Sequence, residues 1–153
     1  MALNDDIADA LTRRDIDLQR FYKGAARRVL NTQTDSDAQI IERLLKAGEG
    51  LSRARLEKLL KDIQAIIATA HKDAFGVLQI DLEGLAEVEA EFVAGTLKKQ
   101  LPVMLQTVTP AKAQVLAAAY SRPFQGRLLS DVYRELPEAS YRMIRNTIRL
   151  GYL

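Results

Sequence analysis

Cysteine and tryptophan are absent from this chain of 153 residues, and its single histidine is His71. Without cysteine the protein has no disulfide, no thiolate nucleophile and no cysteine-ligated metal. One imidazole cannot supply the ligand set of a typical zinc site. Aromatic residues make up only 6% of the chain, so alanine and leucine provide most of the apolar mass. This composition favours closely packed helices over a sheet sandwich.

Long apolar runs are also missing. The most apolar segment, Ile63–Ala70, is far shorter than the roughly 18 residues that indicate a membrane span. The first fifteen residues, MALNDDIADALTRRD, contain acidic side chains from the start and no apolar core of a signal peptide. We therefore expect no membrane span and synthesis in the cytoplasm.

Sequence motifs of catalysis are absent as well. No serine lies in a Gly-x-Ser-x-Gly setting, and Gly48-Glu49-Gly50 is not followed by the lysine of a phosphate-binding loop. Glu83, Glu87 and Glu91 recur at four-residue steps, but the Glu-x-x-His step of di-iron bundles does not accompany them. An acidic face turned to solvent or to a partner is the favoured interpretation. We predict no catalytic residue, no metal and no cofactor.

Apolar residues recur at three- and four-residue steps along the N-terminal part of the chain, which is typical of helices. The pattern predicts one helix over about 3–30, a loop over 31–36 and a short helix over 37–46. Arg14 falls within the apolar stripe. Its stem is expected to pack while its head reaches solvent, and the alternative is a charge that faces a partner.

The longest predicted helix runs from Ser52 to Lys99, without a proline until Pro102. If unbroken, it would be about 70 Å long at 1.5 Å per residue. Gly76 and Gly84 are the positions where it can kink or where another helix can cross it closely. Because a compact domain of this size is narrower than that, we expect an elongated molecule or one that reaches between partners.

The C-terminal part of the chain is predicted to contain shorter helices. The apolar pattern is interrupted at 101–105, Pro110 restarts it for a helix over 111–120, and Pro137 separates two further helices over 127–135 and 138–150. We thus predict an all-α fold, an elongated helical bundle or hairpin dominated by one long central helix, with short C-terminal helices. The whole chain, 1–153, is predicted to be a single helical domain. It divides into N-terminal helices at 1–50, the long helix at 51–101 and basic C-terminal helices at 109–153.

Basic residues are concentrated near the C-terminus although the formal net charge is only +2. Arg142, Arg145 and Arg149 occupy one face of the last helix at three- and four-residue steps. Such a face can contact the phosphates of a nucleic acid. It can equally bind an acidic protein surface or simply be the solvated side of the helix. His71, for its part, is expected to be a surface or packing residue.

One segment resembles a known family. The string Arg122-Pro123-Phe124-Gln125-Gly126-Arg127, followed by a helix that ends in Arg149-Leu150-Gly151, is similar to a segment of bacteriophage head-morphogenesis (minor head) proteins. The pattern that precedes it is similar too: a charged helix, then LSRARLEKLLKDI, then an Ala- and Glu-rich helix that ends in LP. The resemblance covers essentially the whole chain but only the N-terminal helical region of those proteins.

The resemblance implies a structural virion component of a tailed phage, present in few copies inside the capsid near the portal vertex. Such a protein acts in head assembly, and some relatives influence DNA delivery. Its expected partners are the portal or other head proteins, further copies of itself and DNA. Family members continue past the final glycine into a further domain, so this chain is expected to be the N-terminal region of a longer protein. The alternative is a DNA-binding or scaffolding adaptor that acts transiently in head assembly.

The connector between the C-terminal helices is the expected docking segment. Its candidate partner-binding residues are Arg122, Pro123, Phe124, Gly126 and Arg127. Proline restricts the backbone, phenylalanine can be a buried anchor, and glycine permits a tight turn. The competing interpretation is that these residues only close a corner between two helices.

Overall fold

The computed structural model describes residues 2–100, 110–123 and 125–152, which form four α-helices and no β-strand. In chain order the helices are α1 (Ala2–Ala47), α2 (Arg53–Gln100), α3 (Lys112–Ser121) and α4 (Leu129–Tyr152). The predicted all-α fold is confirmed. The predicted interruption at 101–105 lies outside the described residues.

Helix α1 is continuous over 46 residues, so the loop predicted at 31–36 is wrong. That segment is rich in small polar residues, which usually favour turns because their side chains compete for backbone groups. Here those side chains bond back to their own helix. Thr34 Oγ1 donates to the Leu30 carbonyl at 3.0 Å, and Ser36 Oγ donates to the Gln33 carbonyl at 3.0 Å. Ser36 is therefore buried without losing its hydrogen bond, and the core-facing stripe continues to Ile40.

Residues 48–52 connect α1 to α2. Gly48 and Gly50 have φ of +69° and +71°, a left-handed conformation that side chains disfavour and that commonly ends helices at glycine. Ser52 then caps α2, because its Oγ accepts a hydrogen bond from the Arg55 backbone N–H at 3.4 Å. Helix α2 has 48 residues and α1 has 46. The chain therefore contains two long helices where the sequence predicted one.

Helix α4 is also continuous, through Pro137, so the prediction of two short helices is wrong. Proline inside a helix removes one backbone hydrogen bond and costs about 3 kcal/mol. The part of α4 that follows Pro137 packs against the core. Ile148 is buried there, and Tyr141 and Ile144 contact the same cluster. This packing offsets the missing hydrogen bond.

Contacts divide the chain into two compact units. The first unit comprises Met1–Arg27 and Leu78–Arg122, and the second comprises Arg28–Val77 and Pro123–Leu153. The second unit contains the hydrophobic core cluster, which α1, α2 and α4 form together: Ile40, Leu59, Leu60, Ile63, Ile67 and Ile148. In the first unit Ala25 is the only buried hydrophobic residue among the side chains that the structure describes. Most of the other side chains that pack together in that unit are only half-buried.

Candidate functional site

The backbone of the predicted docking connector makes a tight turn. Gln125 and Gly126 have φ of +50° and +80°, so two successive residues adopt the left-handed conformation. Pro123 is exposed beside them, and a Cβ added to Gly126 would meet nothing within 4 Å. Glycine is thus needed at Gly126 for its conformation and not for space. The predicted anchor Phe124 lies outside the described residues.

The two arginines that flank this turn differ in their partners. Arg127 forms an ion pair with Glu135 of α4, which ties the end of the connector to the helix that follows it. Arg122 is exposed and has no ion pair among the residues that the structure describes. Of the two, Arg122 has its charge available for a partner.

The arginine face of α4 separates in the same way. Arg142 and Arg149 are exposed, and neither forms an ion pair within the described part of the chain. Arg145 is half-buried, with its guanidinium carbon 5.9 Å from the centre of the Tyr141 ring. Its Nε is buried and has no hydrogen-bond partner among the described residues. Two of the three predicted contact residues therefore lie free on the surface, and the third packs on an aromatic ring.

Helix α3 covers part of the acidic face of α2. Lys112 Nζ lies 3.7 Å from a Glu83 carboxylate oxygen and 3.8 Å from a Glu87 oxygen, whereas Glu91 is exposed. Half-exposed pairs of this kind contribute roughly 0–1 kcal/mol. Their main effect is to fix where the N-terminus of α3 lies on α2. The acidic surface predicted on α2 therefore faces solvent in part and α3 in part.

His71 contacts α4, which the sequence did not indicate. Its Nε2 lies 3.3 Å from Ser140 Oγ, and burial lowers the pKa of the imidazole. A histidine–serine contact is one part of an acyl-transfer site, which also needs N–H donors for the oxyanion. Ser140 lies within α4, where backbone N–H groups donate along the helix and cannot stabilise an oxyanion. The contact therefore joins α2 to α4, as expected of a packing residue.

The Arg14 side chain stays partly exposed, at 31%, and its head group in addition pairs with a carboxylate of α2. Its Nε donates to Glu89 Oε1 at 3.0 Å, and a second guanidinium nitrogen pairs with the other carboxylate oxygen. The guanidinium also lies 5.1 Å from the centre of the Phe92 ring. The hydrogen bond to Glu89 is the main cause that raises the pKa of Arg14. This bidentate pair joins α1 to α2 within the first unit.

An open groove of about 670 Å³ lies beside this pair. Five of its lining side chains, from α1 and α2, are apolar, and we call them its floor: Leu18, Phe21, Leu85, Val88 and Phe92. Charged residues of α1 line it as well, and we call them its edge: Asp6, Asp9, Arg13 and Asp17. Gly84 also lines it, and because glycine has no side chain the groove stays open there. Pockets of this size and composition commonly hold ligands or side chains of a partner.

The sequence alone does not predict the groove, because the groove depends on which residues of α1 meet α2. The one sequence signal is Gly84, a helix-interior glycine with no turn or tight contact to explain it.

Comparison with known proteins gives no relatives: no family model, no curated protein and no solved structure matches the chain. None of the helices in the described ranges is both long enough and apolar enough to cross a membrane.

Proposed function

We propose that the protein is a structural component of a tailed bacteriophage, a minor head protein that associates with the portal and acts in head assembly and in DNA ejection. The observation that carries this proposal is the exposure of large apolar side chains along regular helices. Ile41 and Leu45, four residues apart on α1, are 56% and 78% exposed, and Met143 and Leu150, seven apart on α4, are 68% and 81% exposed. Single exposed residues are ordinary on protein surfaces, but rows of them on a helix indicate a surface that a partner covers. An assembly protein needs such surfaces, and a monomeric enzyme does not.

The resemblance of the connector and the last helix to minor head proteins supplies the particular assembly. The location that we propose on that ground is inside the capsid, near the portal vertex. In this proposal the exposed turn at Pro123 and Gly126 docks on the portal, with Arg122 as its free charge. Arg127 has a supporting role, since its ion pair with Glu135 holds the turn against α4.

Binding to the purified portal tests this proposal. The chain and the portal ring of the same phage are mixed and followed by light scattering or sedimentation. We expect a stable complex that Arg122→Glu weakens at least 10-fold. Arg55→Glu is the matched control, because Arg55 is an exposed arginine on α2 and is not part of the connector. We expect this variant to bind like the wild type. No complex with the portal at any salt concentration would overturn the assignment.

A second candidate function has one observation in its favour. Arg142 and Arg149 lie exposed and unpaired among the described residues, so they are free to contact phosphates. A DNA-binding or scaffolding adaptor that acts transiently in head assembly would use them. Salt titration of DNA binding separates this function from the first: each phosphate contact contributes about 0.9 to the slope of log K against log salt. We expect the change of both arginines to glutamine to reduce that slope by about 2, and no binding at low salt excludes this function.

A further inference from the structure

A row of exposed apolar residues runs along α4 on a face that the core does not use. Leu136, Met143 and Leu150 are seven residues apart and are 38%, 68% and 81% exposed. Ala139 and Asn146, both exposed, fall between them at alternating three- and four-residue steps. This is the spacing of the positions through which helices pair in coiled coils. We call these five residues the α4 stripe.

Two free arginines lie beside the stripe. Arg142 and Arg149 each precede one of its apolar members by one residue, the position that flanks the seam in a coiled coil. Neither has an ion pair within the described ranges. The third residue at an equivalent position, Glu135, is already paired with Arg127. A partner of the stripe should therefore combine apolar surface with carboxylates.

The groove of the first unit offers that combination. Its floor is apolar, and its edge combines Asp6, Asp9 and Asp17 with Arg13, an arginine that has no ion pair among the described residues. Arg14, which also lines it, is neutralised by Glu89. Asp17 lies 3.4 Å from Arg20, in an exposed pair that a partner can displace at small cost. The lining thus has an excess of negative charge around hydrophobic surface.

We infer that the α4 stripe of one molecule binds in the groove of a second molecule. Met143 and Leu150 would rest on the apolar floor, while Arg142 and Arg149 face the aspartates at the edge. The two surfaces differ, so the contact is heterologous and repeats from molecule to molecule, giving a closed ring or an open chain. Pairing of two stripes is disfavoured because it brings four arginines to one seam. This inference goes beyond the proposed function and holds wherever the protein resides.

Two single variants separate the surfaces. Val88→Lys puts a positive charge on the floor of the groove, and Met143→Glu puts a negative charge in the stripe. Both residues are largely exposed, at 62% and 68%, so the fold should tolerate the changes, and circular dichroism checks the helix content. Ile80→Lys is the matched control, since Ile80 is 72% exposed on α2 and is not part of the groove lining.

Sedimentation over a range of concentrations gives the readout. We expect the wild type and Ile80→Lys to form species larger than dimers, and each of the two variants alone to associate at least 10-fold more weakly. An equimolar mixture of the two variants should regain association, because one retains an intact stripe and the other an intact groove.

Three outcomes would overturn the inference. The first is a wild type that stays monomeric at every concentration. The second is a Val88→Lys variant that still associates while Met143→Glu does not, which indicates pairing of stripes. The third is a mixture in which the two variants remain separate.

Discussion

The core of the second unit gives the most quantitative prediction, through the change of Ile63 to alanine. Ile63 is fully buried, at 0% exposure, among residues of α1, α2 and α4. The change removes three buried carbon groups, and at about 0.8 kcal/mol each their transfer to water accounts for about 2.4 kcal/mol. The cavity left behind adds roughly 1 kcal/mol if the neighbours collapse only in part. We expect the free energy of unfolding to fall by about 3–4 kcal/mol.

Urea unfolding followed by circular dichroism at constant slope measures this loss. Ile41→Ala is the control within the same unit, because Ile41 is 56% exposed. The control should change the free energy of unfolding by less than about 0.5 kcal/mol. Equal losses for the two variants, or a loss below about 1 kcal/mol for Ile63→Ala, would refute the packing of α4 and α1 around Ile63.

Three further predictions concern α1 and α2. Asp35→Pro should lower the free energy of unfolding by about 3 kcal/mol or more because residue 35 is inside a continuous helix, and a urea titration that finds it neutral would restore the loop. His71→Gln should reduce the loss of stability at acid pH. Burial lowers the imidazole pKa of the folded protein from its ordinary value of 6.5. Because the unfolded chain then binds the proton more tightly than the folded one, the wild type is destabilised as pH falls through 6.5. Urea titrations at pH 7.5 and 5.5 compare the two proteins, and an identical pH dependence would contradict this. Gly76→Ala should raise the free energy of unfolding by up to about 1 kcal/mol, and with it the melting temperature, because an added Cβ meets nothing within 4 Å. A lower melting temperature would show that another helix crosses closely at this position.

Apolar periodicity was sufficient to predict the fold class and the longest helix. The pattern after Ser52 keeps its three- and four-residue steps for some 45 residues, and α2 extends over Arg53–Gln100. Over such a length the two central glycines cost little compared with the packing along the helix. Gly48 and Gly50 follow the end of α1 at Ala47, close to residue 46, where the sequence predicted a helix to end.

Local signals failed where packing outweighed them. The polar residues at 31–36 and Pro137 both indicate a helix end, and in each case the helix continues. Propensity is a weak preference that tertiary contacts override. In α1 the hydroxyl of Ser36 is satisfied within its own helix, and in α4 Ile148 is buried in the core on the far side of the proline.

The pairings that define the surfaces were beyond the sequence for a different reason. Arg14 and Glu89 are 75 residues apart, and His71 and Ser140 are 69 apart. Nothing in the order of residues along one chain indicates which charges meet across helices. The arginine face was recognisable from its spacing, but that Arg145 packs on Tyr141 while Arg142 and Arg149 stay exposed depends on the rotation of α4 against the core.

Cryo-electron microscopy of the intact phage particle tests the central proposal most directly. We expect density at or near the portal vertex, inside the capsid, into which the helices of each compact unit can be fitted, with the connector around Gly126 against the portal. A particle whose portal vertex shows no density for this chain would contradict the proposed location and role.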